Sequence, residues 1–250
     1  MRWRAGSRLD MHAALIMRLD EEGAMTELID RSNMVERMKQ ALRIDAATTA
    51  VITIDCQRGN LEPEIASLPV PAAECKRVID GTNRLLATAR RHGIAIIHVT
   101  TVYEAPLLGQ HPFERAMLVL KESFTPDGKS DFARHKSPGS IEGQIVAALD
   151  VQPSDLLVDS KRTFDAFLGT PLELLLRFMK KDTLLVAGCN TNTCVLATTF
   201  GAYNRGFSTV IVSDCVASAY GEDLHRFALS NIERRLGWVL SLDELNAKLN

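Results

Sequence analysis

Val186–Thr198 reads VAGCNTNTCVLAT, and the fold follows from this stretch. An apolar run over Thr183–Ala187 stops at Gly188, crosses a polar turn, and re-enters apolar sequence at Cys194-Val195-Leu196-Ala197. That pattern predicts a buried strand, a tight turn and a helix with a cysteine at its first position. Backbone amides and the positive end of a helix dipole favour a thiolate there, and the thiolate is the nucleophilic form of cysteine.

Working outward, the same alternation recurs. Ala50–Ile54 is a β-branched run followed by a helix over Ala73–His92, which Gly93 ends. Ile94–Val99 is the next strand; Ser140 caps a helix reaching Leu149, and Asp155–Asp159 is a third strand. Pro171 suits the start of a helix, where its missing donor costs nothing. Thr183–Ala187 and Ser208–Val212 are strands four and five, and Trp238–Ser241 is strand six after a helix over Asp223–Arg235. Buried runs alternating with helices predict an α/β fold, a three-layer open sheet of about six mainly parallel strands covered on both faces.

Residues 1–45 differ in character and are expected to form an N-terminal extension ahead of a domain over 46–250. Leu28, Val35, Met38 and Leu42 have helical spacing, Asn33 with Glu36 resembles a capping box, and Met25 is an alternative start. The connection Thr101–Gly139, with four prolines spread through it, is long enough to serve as a lid or pocket wall.

A chain of 250 residues that is 46% hydrophobic can build one large core. Its net charge of −2 offers no basic field for nucleic acid or anionic lipid. No run approaches the length of a membrane span and no signal peptide is evident. The cysteines at 56, 75, 189, 194 and 215 are odd in number and form no CxxC, which fits reduced thiols in the cytoplasm.

Ligands of an open parallel sheet bind beyond the carboxyl ends of its strands. There the sequence places Asp55-Cys56-Gln57 after strand one, Lys161 after strand three, and Asn190 to Cys194 after strand four. An acid, a cation and a thiol thus converge on one edge. A cysteine beside an ammonium is expected to have a lowered pKa. A carboxylate within reach can take the thiol proton and return it to a leaving amine. Turn amides can hold an oxyanion. Taken singly, each residue also has a plain role: Asp55 as a cap, Lys161 as a solvated charge, Cys194 as a small core residue.

Three motifs, Asp55-x-Gln57, Lys161 with Ala166-Phe167, and Gly188-x-x-Thr191-x-x-Cys194-Val195, resemble those of the isochorismatase-like cysteine hydrolases over residues 48–245. That family includes N-carbamoylsarcosine amidase, nicotinamidase, ureidoacrylate amidohydrolase and biuret hydrolase. The resemblance implies Cys194 as nucleophile, Asp55 as general base and acid, and Lys161 as the cation beside the thiolate. It implies a cis peptide between Cys189 and Asn190, and an oxyanion hole from the amides of Asn190 and Cys194. Gln57, Arg58 and Phe167 are candidate substrate contacts, a surface salt bridge being the other reading of Arg58, and Asn190 could meet substrate with its side chain.

The Asp-x-His metal pattern of nicotinamidases is absent after Asp55, and His98, His111 and His135 lack ligand spacing. No metal and no organic cofactor is expected. The reading is a cysteine amidohydrolase for a small amide, ureido or N-carbamoyl compound, working through a thioester. Its partner is that small molecule, and a homo-oligomer, dimer or tetramer, fits the family. The alternatives are a nicotinamidase or isochorismatase, or a silent relative that binds or assembles.

Overall fold

The computed structural model describes residues 31–104, 111–113, 115–116 and 135–249. The chain divides between Gln40 and Ala41, slightly before the expected boundary at 45. In the first unit, helix α1 (Ser32–Ala41) carries Val35 and Met38 at the expected spacing. Asn33 stands inside its first turn rather than ahead of it, so the helix begins one residue before the capping box the sequence suggested. Leu28 lies outside the described residues, as does most of the Thr101–Gly139 connection.

The second unit holds a six-stranded sheet in the order β3-β2-β1-β4-β5-β6, with every pairing parallel. The strands are β1 (Thr49–Ile54), β2 (Ala95–Thr101), β3 (Leu156–Lys161), β4 (Thr183–Cys189), β5 (Ser208–Ala217) and β6 (Trp238–Leu240). The helices are α2 (Arg58–Leu61), α3 (Ala72–Arg91), α4 (Leu172–Phe178), α5 (Leu196–Asn204), α6 (Glu222–Asn231) and α7 (Leu242–Leu249). No helix among the described residues is long and apolar enough to cross a membrane.

Alternation along β1 explains the layering. Val51 points into one cluster with Leu185, Val210, Val78 and Leu85. Ala50, Ile52 and Ile54 point into the other, with Ile97, Leu184, Leu172 and Ala202. Every residue of β1 and β4 is buried, whereas β3 at the sheet edge buries only Val158 and Lys161. A central parallel strand is covered on both faces, so it reads as an unbroken apolar run.

Two expected elements differ. The helix from Ser140 to Leu149 is a single tight turn, Ile141–Gly143, with Ser140 Oγ accepting from the Gly143 amide. Beyond it the chain pairs as a β-bridge, Gln57 with Ile145, held by Arg58 N to Gln144 O at 2.8 Å and Val146 N to Cys56 O at 3.0 Å. Those bonds claim the backbone groups a helix would need. The helix expected over Asp223–Arg235 ends at Asn231 and widens into a π turn, Ile232–Leu236. Strands two to five run past their expected ends, to Thr101, Lys161, Cys189 and Ala217.

The register sets the site. Ile54 lies between Val99 and Gly188, and Thr101 pairs with Lys161. Gly188 has φ 117, and a Cβ there would sit 1.8 Å from the Ile54 carbonyl oxygen. Only glycine permits that approach of β4 to β1. Gly188→Ala is therefore expected to cost about 4 kcal/mol or more, read as a lowered urea midpoint; a midpoint equal to the parent's would show that β1 and β4 can move apart freely.

Candidate active site

The strand order reverses between β1 and β4, and at such a switch point the loops leaving two adjacent strands part to opposite faces and open a crevice. Asp55 leaves β1 there, its amide bonded to the Val99 carbonyl at 2.9 Å and its backbone left-handed at φ 53. From the neighbouring strand, β4 enters a cis peptide between Cys189 and Asn190, at the expected bond. The turn that follows, Thr191–Val195, is π-helical, and α5 begins only at Leu196. Cys194 is thus inside a wide turn, not at the first position of an α-helix. The cause is the Asn190 carbonyl, which accepts from the amides of both Thr193 and Val195 at 3.1 Å.

Lys161, the last residue of β3, reaches across the sheet end. Its Nζ lies 2.8 Å from Asp55 Oδ2 and 3.3 Å from Cys194 Sγ. Thr101 Oγ1 donates to Asp55 Oδ1 at 2.7 Å and accepts from the Lys161 ammonium. Asp55 and Lys161 are each 0% exposed and Cys194 is 5% exposed. The thiol, carboxylate and ammonium that the sequence placed at one edge are in contact, and water is excluded from them.

Burial alone would raise the Asp55 carboxyl, but Lys161 and then Lys136 outweigh it and bring the pKa down to about 2. Burial likewise disfavours the Lys161 ammonium, and the Asp55 charge reverses this, so the pKa rises. For Cys194 the outcome is opposite to the sequence expectation. Burial, reinforced by the adjacent Asp55 carboxylate, pushes the thiol up despite both lysines. The two ammonium groups still favour the thiolate, but burial and the matching carboxylate outweigh them. The resting site therefore holds a carboxylate, an ammonium and a neutral thiol that donates to Asp55.

The candidate substrate contacts are placed differently. Gln57 is 0% exposed, its Nε2 donating to the carbonyls of Thr101 (2.8 Å) and Gly143 (2.7 Å), while its Oε1 accepts from Thr101 N (3.0 Å). It ties the end of β2 to the 141–145 segment, a positioning task. Arg58 forms a two-pronged pair with Glu62 one helical turn on. Phe167 stacks on Phe207 in the core, with the Arg205 guanidinium over its ring. The Asn190 side-chain oxygen accepts from Ala219 N at 2.8 Å, bracing the turn against the chain that leaves β5. His98 is buried between Thr53 and Asp155, and His135 pairs with Ser67. Among the described residues no group of three or more His, Cys, Asp and Glu side chains is placed to hold a metal ion.

Two polar residues of the site escaped the sequence reading. Thr101 obeys the rule that found the others, since it ends β2; the rule missed it because Thr100 and Thr101 read as the start of the long connection. Lys136, discussed below, lies within irregular chain far from any strand end, and nothing in its neighbourhood marks it.

The isochorismatase domain model matches residues 49–244. The chain belongs to the isochorismatase family. It is 27% identical over 209 residues to ureidoacrylate amidohydrolase of Methylobacterium radiotolerans, covering 80% of this chain and 79% of that protein. It is 28% identical over 203 residues to maleamate amidohydrolase of Pseudomonas putida, covering 80% and 86%. Among solved structures, a cysteine hydrolase from Pseudomonas syringae superposes with a TM-score of 0.70 at 23% identity, covering 83% of this chain and 95% of that one. This family member is a hydrolase with the α/β architecture expected from its sequence.

Proposed function

We propose that the protein is a cysteine amidohydrolase that cleaves the linear C–N bond of a small amide, ureido or N-carbamoyl compound through a thioester. The observation that carries this reading is the Lys161 ammonium lying between Asp55 and Cys194 in a site closed to bulk water. Similarity to two amidohydrolases supports the same bond type.

The steps follow from the charges. The substrate carbonyl meets Cys194 Sγ, and the thiol proton passes to Asp55 as sulfur attacks. Lys161 stays protonated and faces the forming thiolate. The carbonyl oxygen becomes an oxyanion, which the amides of Asn190 and Cys194 receive; one such donor contributes about 3–4 kcal/mol in measured cases. Asp55 then returns its proton to the departing nitrogen, and the C–N bond breaks to leave a thioester. Water, deprotonated by Asp55, hydrolyses the thioester, and the proton goes back to sulfur. The sum is amide plus water giving acid plus amine, or ammonia and carbamate from a ureido group.

A neutral resting thiol fits this sequence. The proton moves only when substrate is present, so the nucleophile does not depend on a standing thiolate population. The test is an ammonia-release screen over primary amides, ureido acids, N-carbamoyl acids, biuret and nicotinamide. Turnover among the open-chain amides and ureido acids is expected. Release from nicotinamide alone, by a protein that purifies with bound metal, would contradict the reading.

A further inference from the structure

Lys136 lies outside the motifs yet points at the same carboxylate. Its side chain is 2% exposed, and its Nζ is 3.8 Å from Asp55 Oδ2. An ammonium in such a place is unfavourable unless an anion faces it and the chain holds it there. Both conditions are met. Lys136 has φ 50, opposite Asp55 at φ 53; the other non-glycine residue of positive φ among those described is Lys180, at the end of α4. A left-handed lysine persists only where its surroundings dictate it.

Those surroundings are specific. The Lys136 amide donates to Glu142 Oε2 at 3.2 Å, and its carbonyl accepts from Tyr103 N at 3.1 Å. Ser67 Oγ donates to the same Glu142 oxygen at 2.7 Å and lies 2.8 Å from His135 Nδ1. Beneath the lysine stem is Gly59, where a Cβ would come within 3.3 Å of Lys136 Cγ. Three buried residues, half-buried Tyr103 and a glycine therefore hold the backbone and stem of one lysine that the three-residue site does not require.

We propose that Lys136 is a second cation of the active centre, a positioning residue that acts through Asp55. This rests on the amidohydrolase reading above. Once Asp55 has taken the thiol proton, the thiolate faces two ammonium groups rather than one. An Asp55 opposed by two cations also releases that proton to the departing nitrogen more readily. The groups facing the Asp55–Lys136 pair are Lys161, Cys194, Cys56, Cys189, His135 and Glu142. Burial holds the Cys56 thiol up at about 12 and Cys189 well above its usual range, and it keeps His135 neutral. Burial also draws the Lys136 ammonium below its usual range while the Asp55 charge opposes this, so near neutral pH the positive charge facing Asp55 comes from Lys161 and from Lys136 in its protonated form.

Lys136→Met keeps the stem and removes the charge. Its kcat/KM should fall about tenfold at neutral pH, with the acid limb moved to higher pH. Alkylation of Cys194 by iodoacetamide should slow over the same range, and Lys136→Arg should bring the acid limb back toward the parent's. A folded Lys136→Met with unmoved acid limb and alkylation profile, or with a raised KM alone, overturns the proposal. If Lys136→Met does not fold, Lys136→Gln, neutral but still able to hydrogen-bond, should move the acid limb the same way; a limb that stays in place overturns the proposal there too. Cys194→Ala, assayed alongside, separates the two readings. Ammonia release surviving in that variant sinks the amidohydrolase mechanism, whereas a dead Cys194→Ala beside an unmoved Lys136→Met limb removes only the role of Lys136.

Discussion

Cys194→Ala is expected to abolish ammonia release, by about four orders of magnitude or more, while the protein stays folded. The size follows from the mechanism: without sulfur no thioester can form, and the oxyanion donors and substrate binding alone give only residual rates, as for other nucleophile deletions. The fold should tolerate the change, because the side chain lost is small and the turn is held by the Asn190 carbonyl and the Asn190 side chain, not by the thiol. Cys194→Ser sharpens the test. It retains shape and a hydroxyl donor toward Asp55, but an alkoxide is far harder to form than a thiolate, so it too should be inactive. Undiminished release from Cys194→Ala would end the proposal, and a Cys194→Ser variant as active as the parent would assign the residue a packing role.

Lys161→Met should be the most damaging change in the site for stability. It leaves the Asp55 carboxylate fully buried beside a neutral thiol, with Lys136 at 3.8 Å as the remaining cation. Breaking a buried pair by removing one partner costs about 3–5 kcal/mol. The pH dependence has a definite sign. In the parent the folded Asp55 titrates near 2, below its unfolded value. Its ionisation therefore contributes stability that is fully present above the ordinary carboxylate range and is lost as pH falls toward 2. In Lys161→Met the Asp55 pKa rises, so protonation relieves the unmatched charge at a higher pH. Urea midpoints of the two proteins should differ most at neutral pH and converge under acid conditions. A gap that is constant with pH would mean that Lys161 stabilises by packing rather than by charge.

The two variants also separate roles. Cys194→Ala removes chemistry with little stability loss, and Lys161→Met removes both. If Lys161→Met were stable yet inactive, the ammonium would be needed by the thiolate alone and Asp55 would be held by Lys136 and Thr101.

What the sequence determined by itself was the alternation of buried runs and helices, and with it the parallel sheet. It also brought three chemistry-bearing residues near the strand ends, though not Thr101, because both readings depend on local pattern and on chain direction. Asp55, Lys161 and Cys194 were legible for that reason, since the first two follow or close an apolar run and Cys194 opens one. The segment after Ser140 was not, because its helical pattern lost to hydrogen bonds with Cys56 and Arg58, far off in the chain. Gln57 read as a substrate contact, and Arg58 as either that or a salt bridge, since an amide or a guanidinium has the same sequence signature whether it meets substrate or Thr101 and Glu62. Only tertiary structure decided that Cys194 rests as a neutral thiol. Its ionisation is the balance of burial and one carboxylate against two ammonium groups, and distances of a few ångströms set how much each weighs. Lys136 belongs wholly to that second category: its charge acts on Asp55 only because chain remote from every strand end folds back over Gly59 and holds it there.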